Sequence, residues 1–139
     1  MTVPAGPAPT PTRKKRRPLR YLVLFVVAVA ALFTLYTLFA LNWSYSEGER
    51  AGILQKFSKR GWICKTWEGE LAMTTVPGVA PVLWSFTVRD ESVARDISNG
   101  LGQRVVVHYT EHKGIPSECF GDTPYFVDSV RVQGASQIP

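Results

Sequence analysis

Cys64 and Cys119 are the only two cysteines of the chain, and 54 residues separate them. Two thiols so far apart in sequence can pair as a disulfide or stay free with one buried. They do not form a C-x-x-C motif with a lowered thiol pKa, so a redox enzyme is not expected. His108 and His112 are the two histidines. At this spacing on a helix they would share a face and could bind a metal. On a strand they would stand about 13 Å apart, too far for two ligands at about 2 Å from one zinc. Glu68 and Glu70 flank Gly69. Paired carboxylates can do acid–base work when a pocket separates their pKa values. On a half-exposed strand they are more simply alternating solvent-facing charges, with Gly69 marking a bulge or a barrel bend. No G-x-S-x-G or other nucleophile motif is present. Lys56, Lys59, Arg60 and Lys65 cluster near Trp62, as a site for an anionic or stacking ligand would require. Trp67, Trp84 and Phe86 add to the aromatic content, and of these Trp84 and Phe86 read as core.

What these residues can do depends on where the chain puts them. Residues 13 to 20, RKKRRPLR, hold six of the sixteen Lys and Arg. The remainder has ten basic and eleven acidic residues, so the excess positive charge belongs to the tail. A high overall pI is then no argument for nucleic acid, which needs basic charge on the folded domain. Residues 21–42, YLVLFVVAVAALFTLYTLFALN, contain no charge, Pro or Gly. As a helix this run is about 33 Å long, against a hydrocarbon core of about 30 Å. Trp43 and Tyr45 follow it, where aromatic rings favour the membrane interface. Arg13, Lys14, Lys15, Arg16, Arg17 and Arg20 form the topology signal and place the N-terminus in the cytoplasm. A cleaved secretory signal and a buried core helix are the alternatives. The first has too long an apolar run and no small-x-small site at its outer end.

The following residues read as short strands. Residues 49–58 form the first and 62–73 the second, then the Pro- and Gly-containing loop 74–81. In 82–89, Val82, Trp84, Phe86 and Val88 alternate with Ser85, Thr87 and Arg89, the pattern of a half-buried strand. Val93, Ile97 and Leu101 then recur at helical spacing. Asp90 is an N-cap, Glu91 suits the first turn and Gly100 the stop. Residues 103–111 and 125–133 return to strand, with a long loop between. The order β-β-β-α-β-β is that of an OB-fold, a five-stranded barrel with a helix after its third strand. The expected layout is a disordered Pro-rich and basic tail (1–20), a single-pass transmembrane helix (21–42), an OB-fold-like β-barrel (43–133) and a flexible end (134–139).

In an OB-fold the loops after the first and fourth strands lie on one binding side. They carry Cys64 and Cys119, and outside the cytoplasm disulfides persist, so a Cys64–Cys119 bond is expected.

The stretches ALNWSYSEGERAGILQKFSKRGWICKTWEGELAM and HYTEHKGIPSECFGDTPYFV resemble a group of small uncharacterised bacterial membrane-anchored proteins. Its members often carry the automatic name "6-phosphogluconate dehydrogenase". The resemblance implies this layout and a bacterial envelope location, with no residue roles. A dehydrogenase would need a strand–glycine-rich turn–helix unit, and the chain has no G-x-G-x-x-G. About 90 soluble residues are also too few for a Rossmann domain and a substrate domain.

The sequence thus points to a non-enzymatic envelope protein of the bacterial inner membrane, with its C-terminal domain periplasmic. The domain would bind an envelope protein, peptide or glycan through Lys56, Lys59, Arg60 and Trp62, beside inner-membrane lipid. Neither nucleic acid, nicotinamide cofactor, metal nor other cofactor is expected. Two other classes stay open. One is a redox or enzymatic accessory protein using Cys64 and Cys119, which a reductant-resistant disulfide would argue against. The other is a structural subunit acting through its transmembrane helix, which exchange of the anchor for a generic helix would reveal.

Overall fold

The computed structural model describes residues 2–3, 5–8, 18–73 and 76–134. The topology residues Arg13 to Arg17 and the end from 135 onward lie outside the described residues. Contacts divide the chain into two units, Met1–Thr34 and Leu35–Pro139.

Helix α1 spans Pro18–Asn42. Pro18 starts it where a missing N–H costs nothing, and the uncharged run behind it supplies no breaker. The helix is long and apolar enough to cross a membrane, and only Thr37 and Ala40 along it are buried. Both belong to the second unit.

The strands are β1 (Ser46–Arg60), β2 (Thr66–Met73), β3 (Val82–Val88), β4 (Arg104–Glu111) and β5 (Tyr125–Val132), with α2 (Glu91–Asn99) between β3 and β4. The order of elements along the chain is the expected one. In the sheet, hydrogen-bonded neighbours run β1-β2-β3-β5-β4 and close back on β1, so the last two strands are exchanged relative to chain order. All pairs are antiparallel except β3 with β5, which meet in parallel at Thr87 and Phe126. β1 is longer than its apolar run suggests because it serves two neighbours. Ser46–Ile53 pair with β4 and Ile53–Arg60 with β2, across an irregularity between Leu54 and Lys56. The irregularity does not fall at Gly69, where a bulge or barrel bend is expected. Gly69 instead sits in regular register opposite Phe57, where a Cβ would come within 2.3 Å of the Phe86 ring. It is a glycine because an aromatic side chain lies on it.

β2 starts at Thr66, so residues 62–65, expected as strand, form the turn. β3 follows the expected alternation at Trp84, Ser85, Phe86 and Val88, while Val82, expected on the core face, is exposed at the strand's start and Thr87, expected on the other face, is buried. Trp84, Phe86 and Val88 are buried with Leu54, Leu71, Val105, Val107 and Val127 inside the ring. α2 closes this core with Ala94 and Ile97. Asp90 caps it, its Oδ1 accepting from the Ser92 N–H at 2.7 Å, the Ser92 hydroxyl at 2.5 Å and the Val93 N–H at 3.5 Å. These donors hold the Asp90 carboxyl below the usual carboxylate range, the Ser92 hydroxyl most. Leu101, expected on the packed face, is exposed, because the helix stops at Asn99 and the Gly100 N–H turns back to the Ile97 carbonyl.

Candidate functional site

Two loops meet on one side of the β-domain. The first is the turn after β1. Gly61 has φ +142°, and a Cβ there would fall 1.8 Å from the Cys64 carbonyl oxygen, so only glycine allows the chain to fold back so tightly. The turn leaves Trp62 and Ile63 pointing outward, at 102% and 95% of full exposure. The second is the long connection from His112 to Pro124 between β4 and β5. Cys64 and Cys119 join the two loops, with Cα atoms 4.9 Å apart. The Ser117 hydroxyl oxygen accepts the Cys119 N–H at 3.1 Å and shapes the loop beside the bond.

The same loop covers the outer side of β2 and β3. Glu68, expected to face solvent, is buried there, and so is Thr87. One carboxylate oxygen of Glu68 accepts from the Thr66 hydroxyl at 2.7 Å and the Asp122 N–H at 3.2 Å. The other accepts the Thr87 hydroxyl at 2.7 Å. Thr87 Oγ1 accepts in turn from the Thr123 N–H at 3.2 Å. A buried carboxylate tolerates its position only with such donors. With both oxygens engaged, Glu68 fastens the loop to the sheet and is not poised as a catalytic base.

Three of the four cations near the turn, Lys56, Lys59 and Arg60, are paired with carboxylates. Lys56 lies 3.8 Å from Glu70, and Arg60 pairs with Asp122 at 2.7 Å. The Asp122 hydrogen bond raises the Arg60 pKa further. Lys59 lies 3.6 Å from Glu91 and over the Trp67 ring at 5.3 Å. Trp67 Nε1–H donates to Glu91 at 2.8 Å, and this bond first, then Lys59, lowers the Glu91 pKa. Trp67 itself stacks on Phe57 at 5.1 Å. Lys56, Lys59 and Arg60 therefore hold the wall of the turn, and Trp62 is the member of the predicted set that is presented outward.

The histidines separate. His108 bonds Asp128 at 2.8 Å on the strand surface. His112 is buried, with Nδ1 3.2 Å from the Ala40 carbonyl of α1 and Nε2 3.1 Å from the Thr110 hydroxyl. No cluster of three His, Cys, Asp or Glu among the described residues could hold a metal. Arg50 went unnoticed in the sequence. Its guanidinium lies over the rings of Trp84, Tyr109 and Tyr125 at 4.8, 5.4 and 5.9 Å. The available signal was its alternation with Gly52 and Leu54, which face inward.

A family model, a domain of unknown function (DUF8785), matches residues 43–133. No curated protein matches the chain. Among solved structures, the mitochondrial single-stranded DNA binding protein Rim1 of S. cerevisiae is similar, at 10% identity and a TM-score of 0.49. The likeness covers 66% of this chain and 96% of that one. The expectation that nucleic acid is not a partner is corrected here: this neighbour is a single-stranded DNA binding protein, and the exclusion is withdrawn. At this identity and TM-score the likeness assigns no ligand.

Proposed function

The chain belongs to the DUF8785 family, and from that premise we propose that it is a single-pass membrane-anchored binding module without enzymatic activity. The anchor holds an OB-like barrel on the extracytoplasmic side of a bacterial inner membrane. The six cations ahead of and in the first turn of α1 support that orientation. The resemblance to bacterial membrane-anchored proteins supports the location. The contact surface is the pair of loops joined by Cys64–Cys119, walled by Lys56, Lys59 and Arg60 and presenting Trp62.

The observation that carries this reading is the full outward exposure of Trp62 and Ile63 on a turn that a disulfide and Gly61 hold closed. Exposed aromatic and aliphatic side chains on a rigid support lose little entropy on contact, as binding surfaces require. The non-catalytic reading is supported by Glu68, whose oxygens are committed to Thr66, Thr87 and the Asp122 N–H.

The test places a photoreactive residue at position 63 of the full chain in intact cells, with the exposed Leu83 as a control position. A specific adduct at 63, of protein or lipid mass, is the expected result. Adducts no more frequent at 63 than at 83 would remove the assignment of this surface.

A further inference from the structure

We propose that the end of the β-barrel where Arg50 stands among Met73, Trp84, Tyr109 and Tyr125 is a binding site for a carboxylate carried on an apolar or aromatic body. The site is separate from the loops joined by Cys64–Cys119.

The cluster occupies the barrel end away from α2. The chain leaves α2 through Gly100–Gln103 onto Leu54, whose N–H and carbonyl bond Gln103 and Gly102. A Cβ at Gly100 would lie 3.1 Å from Val105 and 3.4 Å from Val132. Arg50 stands four residues back from Leu54 on β1, and Tyr109 four residues on from Val105 on β4. Four strand residues span about 13 Å. Trp84 and Tyr125 stand near the beginnings of β3 and β5, whose far ends lead into α2 or lie against its exit. The mouth of a β-barrel is a common place for a small ligand.

Among the described residues, Arg50 is the one Lys or Arg that is not exposed. Its guanidinium lies over the rings of Trp84, Tyr109 and Tyr125. Its Nη1 lies 3.3 Å from the Met73 sulfur, a weak acceptor. No carboxylate among the described residues pairs with it, whereas the exposed Arg60 and Arg131 have Asp122 and Glu49. A cation drawn partly out of water without an anion is unfavourable, and an incoming anion relieves that cost. Beside it, the buried Trp84 Nε1–H has no acceptor among the described residues. Buried donors in native folds are nearly always matched. This end of the barrel therefore holds donors and lacks an acid.

The donor set selects the anion. The planar guanidinium fork matches a carboxylate through two parallel bonds. One guanidinium among neutral rings balances one negative charge. A phosphate carries more charge near neutral pH and would leave part of it uncompensated beside the rings. The half-buried Tyr109 and Tyr125 rings offer contact to the body that carries the carboxylate. A free small acid and the C-terminus of a peptide share this chemistry.

The experiment titrates the full chain in detergent with benzoate, with N-acetyl-leucyl-phenylalanine bearing a free carboxylate, and with inorganic phosphate. NMR follows the Arg50 Nε–H and the Trp84 indole N–H. Saturable shifts of both with benzoate or the peptide are expected, and the tighter of the two names the source. Amidating the peptide carboxylate should abolish its effect. Arg50→Met keeps an apolar cover on the rings, and near-UV circular dichroism checks that they stay packed. It should weaken the carboxylate titration, read at Trp84, by at least about tenfold, as loss of a charged hydrogen-bond donor predicts. Arg50→Lys keeps the cation and loses the fork, so it should weaken binding too, and it replaces Arg50→Met if that variant does not fold. No saturable shift with either carboxylate overturns the proposal. A titration unchanged by amidation or by loss of Arg50 also overturns it, as does a response to phosphate alone. Adducts from position 63 do not involve Arg50, so failure here leaves the loop surface standing.

Discussion

At its Glu68–Thr87 end the β2–β3 hairpin is buried on both sides, and for different reasons. Inside, Leu71, Trp84, Phe86 and Val88 are covered by the ring of strands to which they belong. Outside, Glu68 and Thr87 are covered by a loop that arrives from the far side of β4. The inner side buries apolar surface and supplies stability. The outer side buries polar groups, which stabilise little in net terms but are costly to leave unmatched. Its role is to hold the β4–β5 loop, and with it the disulfide and the outward Trp62, in one place.

This division can be broken from either side. Phe86→Ala should have the largest effect, about 3–5 kcal/mol for a buried aromatic, read as a lower urea midpoint for the full chain in detergent. A loss below about 1 kcal/mol would mean that the inner side is not the main core. Replacing both cysteines by serine should cost up to about 4 kcal/mol, from the freed unfolded state. Near-UV circular dichroism of the inner aromatics should persist in that variant, and its disappearance would show that the two sides are not separable. Glu68→Gln should cost about 1–3 kcal/mol, because one of the three donors loses its acceptor. Faster hydrogen exchange at Asp122 should accompany it.

Acid should act at α2. The Asp90 pKa is depressed in the folded state, so the unfolded chain takes up the proton first as pH falls. The cap's contribution is present above about pH 4, the ordinary aspartate range, and is lost as pH drops through the folded value. Asp90→Ala should flatten that part of the stability–pH curve, and an unchanged curve would reject the cap. The smallest effect belongs to Trp62→Ala. Stability should stay within about 0.5 kcal/mol, while the adducts from position 63 disappear.

The inner side was legible in the sequence and the outer side was not. Strand alternation marks Trp84, Phe86 and Val88 directly, and the Asp90–Glu91 start of α2 follows from cap chemistry. The same alternation assigns Glu68 to solvent, because period-two patterns report which face a residue occupies and not what lies over that face. The cover comes from residues about 50 positions later, whose path no local pattern encodes. Gly69 misled for a related reason. A glycine in a strand marks either a bend or a close approach, and only the position of Phe86 decides between them. The cysteine pairing was accessible because it depends on loop placement within a fold whose element order the sequence does show. The carboxylate partners of Lys56, Lys59 and Arg60 were hidden, since Glu70, Glu91 and Asp122 reach them from other parts of the chain.

The central claim is that the contact surface is built in advance, with the loop fixed by Glu68, Thr87 and the disulfide before anything binds. Hydrogen exchange at the Asp122 and Thr123 amides, in the full chain with no added partner, tests it most directly. The account predicts slow exchange at both with the disulfide intact, and faster exchange at both after reduction, while Phe86 and Val107 in the strands stay protected. Exchange at the rate of an unstructured chain in the oxidised protein would contradict it.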